Sequence, residues 1–95
     1  MPGQMDVNNR ANGVNMKVTH EFTIRGKCPE DGALDVYHVT VSADRLIAVE
    51  KILMAAQALE FPCFQEDMTV TLAAAVGCTV TTVCYHSGVK TTCTV

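Results

Sequence analysis

Residues 18–41 read VTHEFTIRGKCPEDGALDVYHVTV, and this stretch decides the fold. Apolar and polar side chains alternate over residues 18–25, which is the two-residue period of a β-strand, and we expect that strand to end near Gly26. A second strand is predicted over residues 34–41, where β-branched and aromatic residues are frequent. The run 28–32 between them contains proline and glycine and is typical of a turn, so the stretch predicts a hairpin.

The period changes downstream of this hairpin, and two helices are predicted. Apolar residues recur at helical spacing in a stretch with neither proline nor glycine, namely Ile47, Ile52, Leu53, Ala56 and Leu59. This first helix is expected to end before Pro62. A second helix is predicted over residues 65–76, because acidic residues occupy its first turn and Gly77 is a natural stop.

The C-terminal part is dense in threonine and valine and predicts a second hairpin. Its strands are expected over residues 78–85 and 89–95, separated by a turn at His86-Ser87-Gly88. The predicted order is therefore ββααββ, an α+β fold with a four-stranded antiparallel sheet and two helices on one face. Such a layer leaves the other sheet face and both edges without cover, which favours a homo-oligomer.

Length and composition indicate one small globular domain. The chain has 95 residues, of which 48% are hydrophobic and 18% charged, as expected for a domain with a single core. Residues 1–16 are polar and lack periodicity, so we expect a flexible N-terminal arm followed by a single domain over residues 17–95. No apolar run has the length of a membrane span and no signal peptide is evident, so a cytoplasmic protein with no membrane partner is expected.

The cysteines and the charges weigh against two further classes of protein. Five cysteines in a chain without a secretion signal are expected to be reduced, and neither a Cys-x-x-Cys pair nor a zinc-type histidine pairing predicts a metal site. The net charge of −3 argues against a broad nucleic-acid interface. A local positive cluster able to contact phosphate is nevertheless expected from Lys17, Arg25, Lys27 and Lys90.

Cys28 and Asp35 are the residues best suited to covalent chemistry. Cys28 follows Lys27 in the predicted loop, where positive charge favours the nucleophilic thiolate; the alternative is a small structural residue at a turn. Asp35 is an acid inside a predicted strand, where acids are depleted. A hairpin that turns around Gly32 would bring Asp35 back near Cys28 and place a proton carrier beside a nucleophile.

Glu66 is predicted to lie in the first turn of the second helix. A favourable interaction with the helix dipole would explain an acid at this position. The alternative is recognition of a ligand, because a carboxylate accepts paired hydrogen bonds from the N–H groups of a guanine-like ring.

Three runs together resemble a known family. The run Cys-Pro-x-x-Gly-x-x-Asp at residues 28–35, followed by Val49-Glu50-Lys51 and Phe64-Gln65-Glu66-Asp67, resembles the 7-cyano-7-deazaguanine reductase family and its archaeosine-forming amidinotransferase branch. The resemblance covers residues 18–95 and implies the tunnelling fold, with active sites between the subunits of a ring-like homo-oligomer. It implies that Cys28 attacks a nitrile to give a covalent thioimide, that Asp35 handles protons, and that Glu66 anchors the pyrimidine edge of the base.

Departures from the reductase pattern favour the amidinotransferase branch. The reductases carry a Glu-x-Lys-Ser-type run for their nicotinamide cofactor, whereas this chain reads Glu50-Lys51-Ile52-Leu53 and offers no glycine-rich phosphate loop. We therefore expect no cofactor, and ammonia or another amine donor rather than hydride as the second reactant. The expected substrate is the 7-cyano-7-deazaguanine base, or tRNA or DNA that contains it.

Three further residues are candidates for the site. The reductases tend to carry a histidine before the anchoring glutamate, and this chain has Gln65 there, which is assigned to substrate binding. His86 could replace that histidine as a catalytic proton carrier, or it could be a solvent-facing turn residue. Glu50 could contact the substrate, as its family counterpart does, or it could be a solvated helix residue.

The favoured hypothesis is thus an enzyme that converts the nitrile of a 7-cyano-7-deazaguanine unit to an amidine. An NADPH-dependent reductase that makes the 7-aminomethyl base from the free nitrile keeps Cys28 and Asp35 in the same roles and remains an alternative. A non-catalytic module that uses Glu66 to bind a purine or pterin is the third hypothesis.

Overall fold

A computed structural model describes residues 15–95 of the chain. The predicted flexible arm, residues 1–16, lies outside the described residues except for its last two positions. Along the chain, a pair of helices lies between two β-hairpins. The elements in order are β1 (Val18–Lys27), β2 (Leu34–Ala43), α1 (Val49–Gln57), α2 (Gln65–Val76), β3 (Thr79–His86) and β4 (Val89–Thr94). The predicted ββααββ order is confirmed.

The four strands form one antiparallel sheet in the order β1-β2-β3-β4. Because side chains alternate between the two sheet faces, Tyr37, Val39 and Val41 of β2 point toward the helices and are buried. The intervening residues, such as Val36, face away and are exposed. The helices therefore cover one face, here called the helix face, and leave an open face.

The core lies between the helices and the helix face. It is built from the buried side chains Tyr37, Val39, Val41, Ile47, Ile52, Ala55, Met68, Leu72, Val76, Val80 and Cys84. The predicted apolar stripe of α1 is partly wrong, because the helix begins only at Val49 and its buried positions are Ile52 and Ala55. Leu53 is 47% exposed, since a nine-residue helix at the edge of the core buries only a narrow stripe.

Both glycine signals in the C-terminal half act as expected. Gly77 ends α2 in the left-handed conformation, at φ 70°, and its N–H donates to the carbonyl of Ala73 at 2.8 Å. The predicted turn at residues 86–88 is shorter than expected, because His86 is the last residue of β3 and pairs with Val89. Ser87 and Gly88 alone form the turn, both with positive φ, as a tight two-residue hairpin loop requires.

Neither helix among residues 15–95 is long and apolar enough to cross a membrane.

Candidate active site

A cavity of about 310 Å³ opens at the end of the sheet where the β1–β2 loop and the β3–β4 turn lie. Its lining comes from that loop, the segment before α2, the first turn of α2, and strands β2, β3 and β4. The lining residues are Cys28, Pro29, Glu30, Asp31, Tyr37, Cys63, Phe64, Gln65, Glu66, His86, Ser87, Thr91 and Cys93. Residues far apart in the sequence, including Cys28, Glu66 and His86, thus share one cavity.

Local hydrogen bonds hold Cys28 at the base of the β1–β2 loop. Its N–H donates to the carbonyl of Ala33 at 3.1 Å, and its carbonyl accepts from the N–H of Gly32 at 2.9 Å. Gly32 adopts φ 70°, a conformation in which a side chain would be strained. The carboxylate of Asp31 accepts from the N–H of Ala33 at 2.9 Å. The loop is closed on itself, and the half-buried Cys28 side chain lines the cavity.

Asp35 lies on β2 directly across from Gly26 of β1, as the predicted hairpin requires. Its side chain is only 12% exposed and touches two residues of the cavity wall. The Tyr37 hydroxyl donates to Asp35 Oδ2 at 3.5 Å, and His86 Nδ1 lies 3.7 Å from the same oxygen. Asp35 therefore does not line the cavity itself, but it contacts Tyr37 and His86, which do.

Tyr37 is a candidate site residue that sequence reasoning missed. Burial raises the pKa of its hydroxyl, and the nearby Asp35 carboxylate raises that pKa further, so the hydroxyl stays a proton donor. Its spacing of two residues from Asp35, on the same strand face, was the available signal.

Gln65 and His86 are joined by a side-chain contact. Gln65 is buried, with 6% of its surface exposed, and its Oε1 lies 3.2 Å from His86 Nε2. Its Nε2 donates to the carbonyls of Thr82 and Thr91 at 3.2 and 3.1 Å, and to Thr82 Oγ1 at 3.2 Å. The Gln65 carboxamide is fully engaged within the protein, although the residue lines the cavity.

Two buried threonines, Thr69 and Thr82, extend this network and were not singled out from the sequence. Thr69 Oγ1 donates to the backbone carbonyl of Gln65 at 2.7 Å, and it lies 2.6 Å from Thr82 Oγ1. Threonine in a helix and threonine in a strand have ordinary structural roles, so only the packing of α2 on β3 reveals their connection.

Glu66 lies in the first turn of α2, is exposed, and lines the cavity. The helix has no side-chain capping hydrogen bond, and its N-cap residue is Phe64. Within residues 15–95 the Glu66 carboxylate has no hydrogen-bond or ion-pair partner. Its acceptor capacity is available to a ligand.

The structure resembles a solved enzyme. A crystal structure of the archaeosine synthase QueF-Like in the apo form matches with a TM-score of 0.65 at 19% sequence identity, covering 86% of this chain and 93% of that chain. The chain has the QueF-like fold. No protein-family model matches the sequence, and no curated protein matches it.

Two groups of predicted residues lie apart from the cavity of this QueF-like fold. Glu50 is exposed in the first turn of α1 and does not line the cavity. The predicted positive cluster is divided, because Lys17 precedes β1 and is separated from Arg25 and Lys27 by most of a ten-residue strand, a distance of roughly 25 Å. Arg25, Lys27 and Lys90 remain at the cavity end of the sheet, on the open face.

One group of side chains in the QueF-like fold has the composition of a metal site. Donor atoms of Asp35, Cys84 and His86 lie within 4.8 Å of one another. A metal would need the Cys84 thiolate. Burial raises the pKa of this thiol, and the nearby Asp35 carboxylate raises that pKa further, so the neutral thiol is favoured.

Gly26 shapes the contact between β1 and the segment before α2. A Cβ atom at Gly26 would overlap the ring of Phe61, which packs on the strand at this point. Because Phe61 lies two residues before Cys63, this contact positions the segment that supplies Cys63 and Phe64 to the cavity.

Proposed function

We propose that the protein converts the nitrile of a 7-cyano-7-deazaguanine unit to an amidine, with Cys28 as nucleophile. The observation that carries the proposal is the single cavity that Cys28 and Glu66 line together and that the Asp35–His86 pair adjoins. The QueF-like fold supports it, because the protein of the matching structure is an archaeosine synthase.

The proposed chemistry has two steps. The Cys28 thiol releases its proton to solvent, its sulfur bonds to the nitrile carbon while one C–N π bond breaks, and the nitrile nitrogen takes a proton to give a thioimide. Ammonia then adds to the same carbon, the C–S bond breaks, and the sulfur recovers its proton as the amidine forms. The Asp35–His86 pair supplies the proton for the nitrogen in the first step.

Glu66 is proposed to recognise the base. Its carboxylate, which has no partner within the described part of the chain, can accept two hydrogen bonds from the ring N–H and the exocyclic amine of a guanine-like edge. The opposite edge of the base, which bears the nitrile, would then point toward Cys28 across a cavity of about 310 Å³.

A nucleic-acid substrate is proposed over the free base. Arg25, Lys27 and Lys90 lie at the cavity end of the sheet and can contact phosphates. The net charge of −3 limits such contacts to this local patch.

Product analysis with labelled ammonia tests the reaction. The protein is incubated with the nitrile base, or with tRNA or DNA that contains it, in the presence of ¹⁵N-ammonium or of NADPH. We expect an amidine that carries one ¹⁵N, formed without loss of NADPH absorbance. Steady NADPH oxidation with the free base, abolished by Cys28→Ala, would contradict the proposal and favour the reductase.

A further inference from the structure

The hydrogen bonds around Gln65 have one consistent direction, which begins at Thr69. The Thr69 hydroxyl donates its only proton to the backbone carbonyl of Gln65 at 2.7 Å. At its 2.6 Å contact with Thr82 Oγ1 it must therefore accept, so Thr82 is the donor there. The Thr82 hydroxyl has then used its proton, and it can only accept from Gln65.

This direction fixes the orientation of the Gln65 carboxamide. All three groups around one end of it are acceptors, namely the Thr82 hydroxyl oxygen and the carbonyls of Thr82 and Thr91. That end must be the NH₂ group, and the other end is the carbonyl oxygen Oε1. Since Oε1 only accepts, the atom 3.2 Å from it, His86 Nε2, must carry a proton.

The consequence reaches Asp35 through the imidazole ring. A neutral ring with a proton on Nε2 has a lone pair on Nδ1, and Nδ1 lies 3.7 Å from Asp35 Oδ2. Nδ1 is therefore the ring nitrogen that can take up or give a proton beside Asp35.

We propose that Gln65 is a positioning residue that holds His86 in the Nε2–H form, so that Nδ1 is the ring nitrogen left to exchange a proton beside Asp35 Oδ2, 3.7 Å away. This inference rests on the proposed function for the use of that proton, which the pair gives to the nitrile nitrogen when Cys28 attacks. Gln65 then acts through His86 and not by contact with the base, which changes its sequence-based assignment to substrate binding.

Three titratable groups around the pair keep their own protons near neutral pH. Burial raises the pKa of Tyr37 on β2, Cys84 on β3 and Cys63 before α2, so all three stay protonated. The cavity is also lined by Cys28, Glu30, Asp31, Glu66 and Cys93, of which Cys28 and Glu66 belong to the nucleophile and recognition roles.

The tautomer is measurable in the free protein by ¹⁵N NMR of histidine-labelled material. The His86 signals are identified by their absence in His86→Asn, which separates them from those of His20 and His38. We expect Nε2 of His86 to be protonated at every pH at which the protein is folded. A neutral His86 ring with its proton on Nδ1 would overturn the proposal, whatever the protein catalyses.

Two variants of Gln65 separate positioning from structural support. Gln65→Met removes the acceptor and is expected to give a mixture of His86 tautomers and at least a tenfold slower attack by Cys28. Gln65→Glu restores an acceptor and adds negative charge, so His86 should stay an imidazolium to higher pH and the alkaline limb of the rate profile should move upward by about one pH unit. Unchanged His86 signals and an unshifted profile in both variants would contradict the proposal.

The outcomes distinguish this inference from the proposed function. A correct His86 tautomer without any reaction at the nitrile would contradict the function but leave the tautomer assignment standing. Reaction at the nitrile with the opposite tautomer would contradict the assignment of Gln65 alone.

Discussion

Glu66 offers the most direct test at the scale of one residue. Glu66 lines the cavity, and its carboxylate has no hydrogen-bond or ion-pair partner among residues 15–95, so Glu66→Gln is expected to weaken binding of the base. Hydrogen bonds to a charged group contribute about 1.5–3 kcal/mol, which corresponds to a roughly 10- to 100-fold higher Kd. Isothermal titration with the nitrile base in a Cys28→Ala background measures this.

Asp67→Asn is the matched control for that variant. Asp67 is the next residue, also acidic and exposed in the first turn of α2, but it does not line the cavity. An equal loss of affinity in both variants would indicate a general effect of helix charge and would contradict recognition by Glu66.

Residues whose placement depends on one hairpin could be predicted from the sequence. The two-residue period and the turn around Gly32 place Asp35 on the second strand across from Gly26, as the predicted hairpin requires. The surroundings of Gln65 could not be predicted, because its partners Thr82, Thr91 and His86 come from β3 and β4. Only the docking of α2 on those strands brings these groups together.

At the scale of elements, the contact between β1 and the segment before α2 depends on Gly26. Gly26→Ala is expected to destabilise the fold by about 1–3 kcal/mol, because the added methyl group displaces the Phe61 ring from the strand. The same displacement moves the segment bearing Cys63 and Phe64. Urea unfolding measures the loss.

Gly32→Ala is a useful comparison, since the chain has open space around that position. Its cost comes from the positive φ of 70° alone and not from a clash. If Gly26→Ala left both stability and the rate of Cys28 reaction unchanged, the packing of Phe61 on β1 would not position the cavity wall.

The periodicity of the sequence predicted the helices and strands, but it predicted the buried side of α1 and the end of β3 less well. The order and nearly all of the strand positions were predicted, whereas only Ile52 of the two buried positions of α1 was. A nine-residue helix with exposed Leu53 and Met54 presents apolar residues on several sides, so spacing alone cannot show which of them meets the sheet. The end of β3 at His86 was also not predicted. The turn needs only Ser87 and Gly88, both with positive φ, so His86 remains in the strand.

At the scale of the whole molecule, the buried acids predict loss of stability at alkaline pH. Burial raises the pKa of Tyr37 above its ordinary 10.0, and burial likewise raises the pKa values of the Cys63 and Cys84 thiols above 9.0. The unfolded chain therefore releases these protons first as pH rises. The contribution of these three groups to the free energy of unfolding should be constant below pH 9. Above pH 9 it should fall by up to about 1.4 kcal/mol per pH unit for each proton released.

Denaturant unfolding between pH 7 and 11 measures this dependence. Tyr37→Phe should reduce the slope above pH 10, whereas Tyr85→Phe, at a residue 61% exposed, should leave it unchanged. A slope in Tyr37→Phe equal to that of the unsubstituted protein would contradict the role given to the buried hydroxyl.

The open face of the sheet predicts self-association. Leu34 and Val36 of β2 and Tyr85 of β3 are 76%, 47% and 61% exposed there, which is unfavourable for a monomer in water. We expect a native mass that is a multiple of 10.2 kDa by light scattering. Val36→Glu should lower that mass, and Val70→Glu, at an exposed position on α2, should not.

Both proposed steps need Cys28 as the nucleophile, and intact-mass spectrometry detects its covalent adduct. The protein is mixed with the nitrile base without ammonia, and its mass is measured under denaturing conditions. We predict an increase by the mass of one base, absent in Cys28→Ala and retained in Cys78→Ala, whose thiol lies outside the cavity. No adduct on the unsubstituted protein, or an adduct that persists in Cys28→Ala, would show that Cys28 is not the nucleophile.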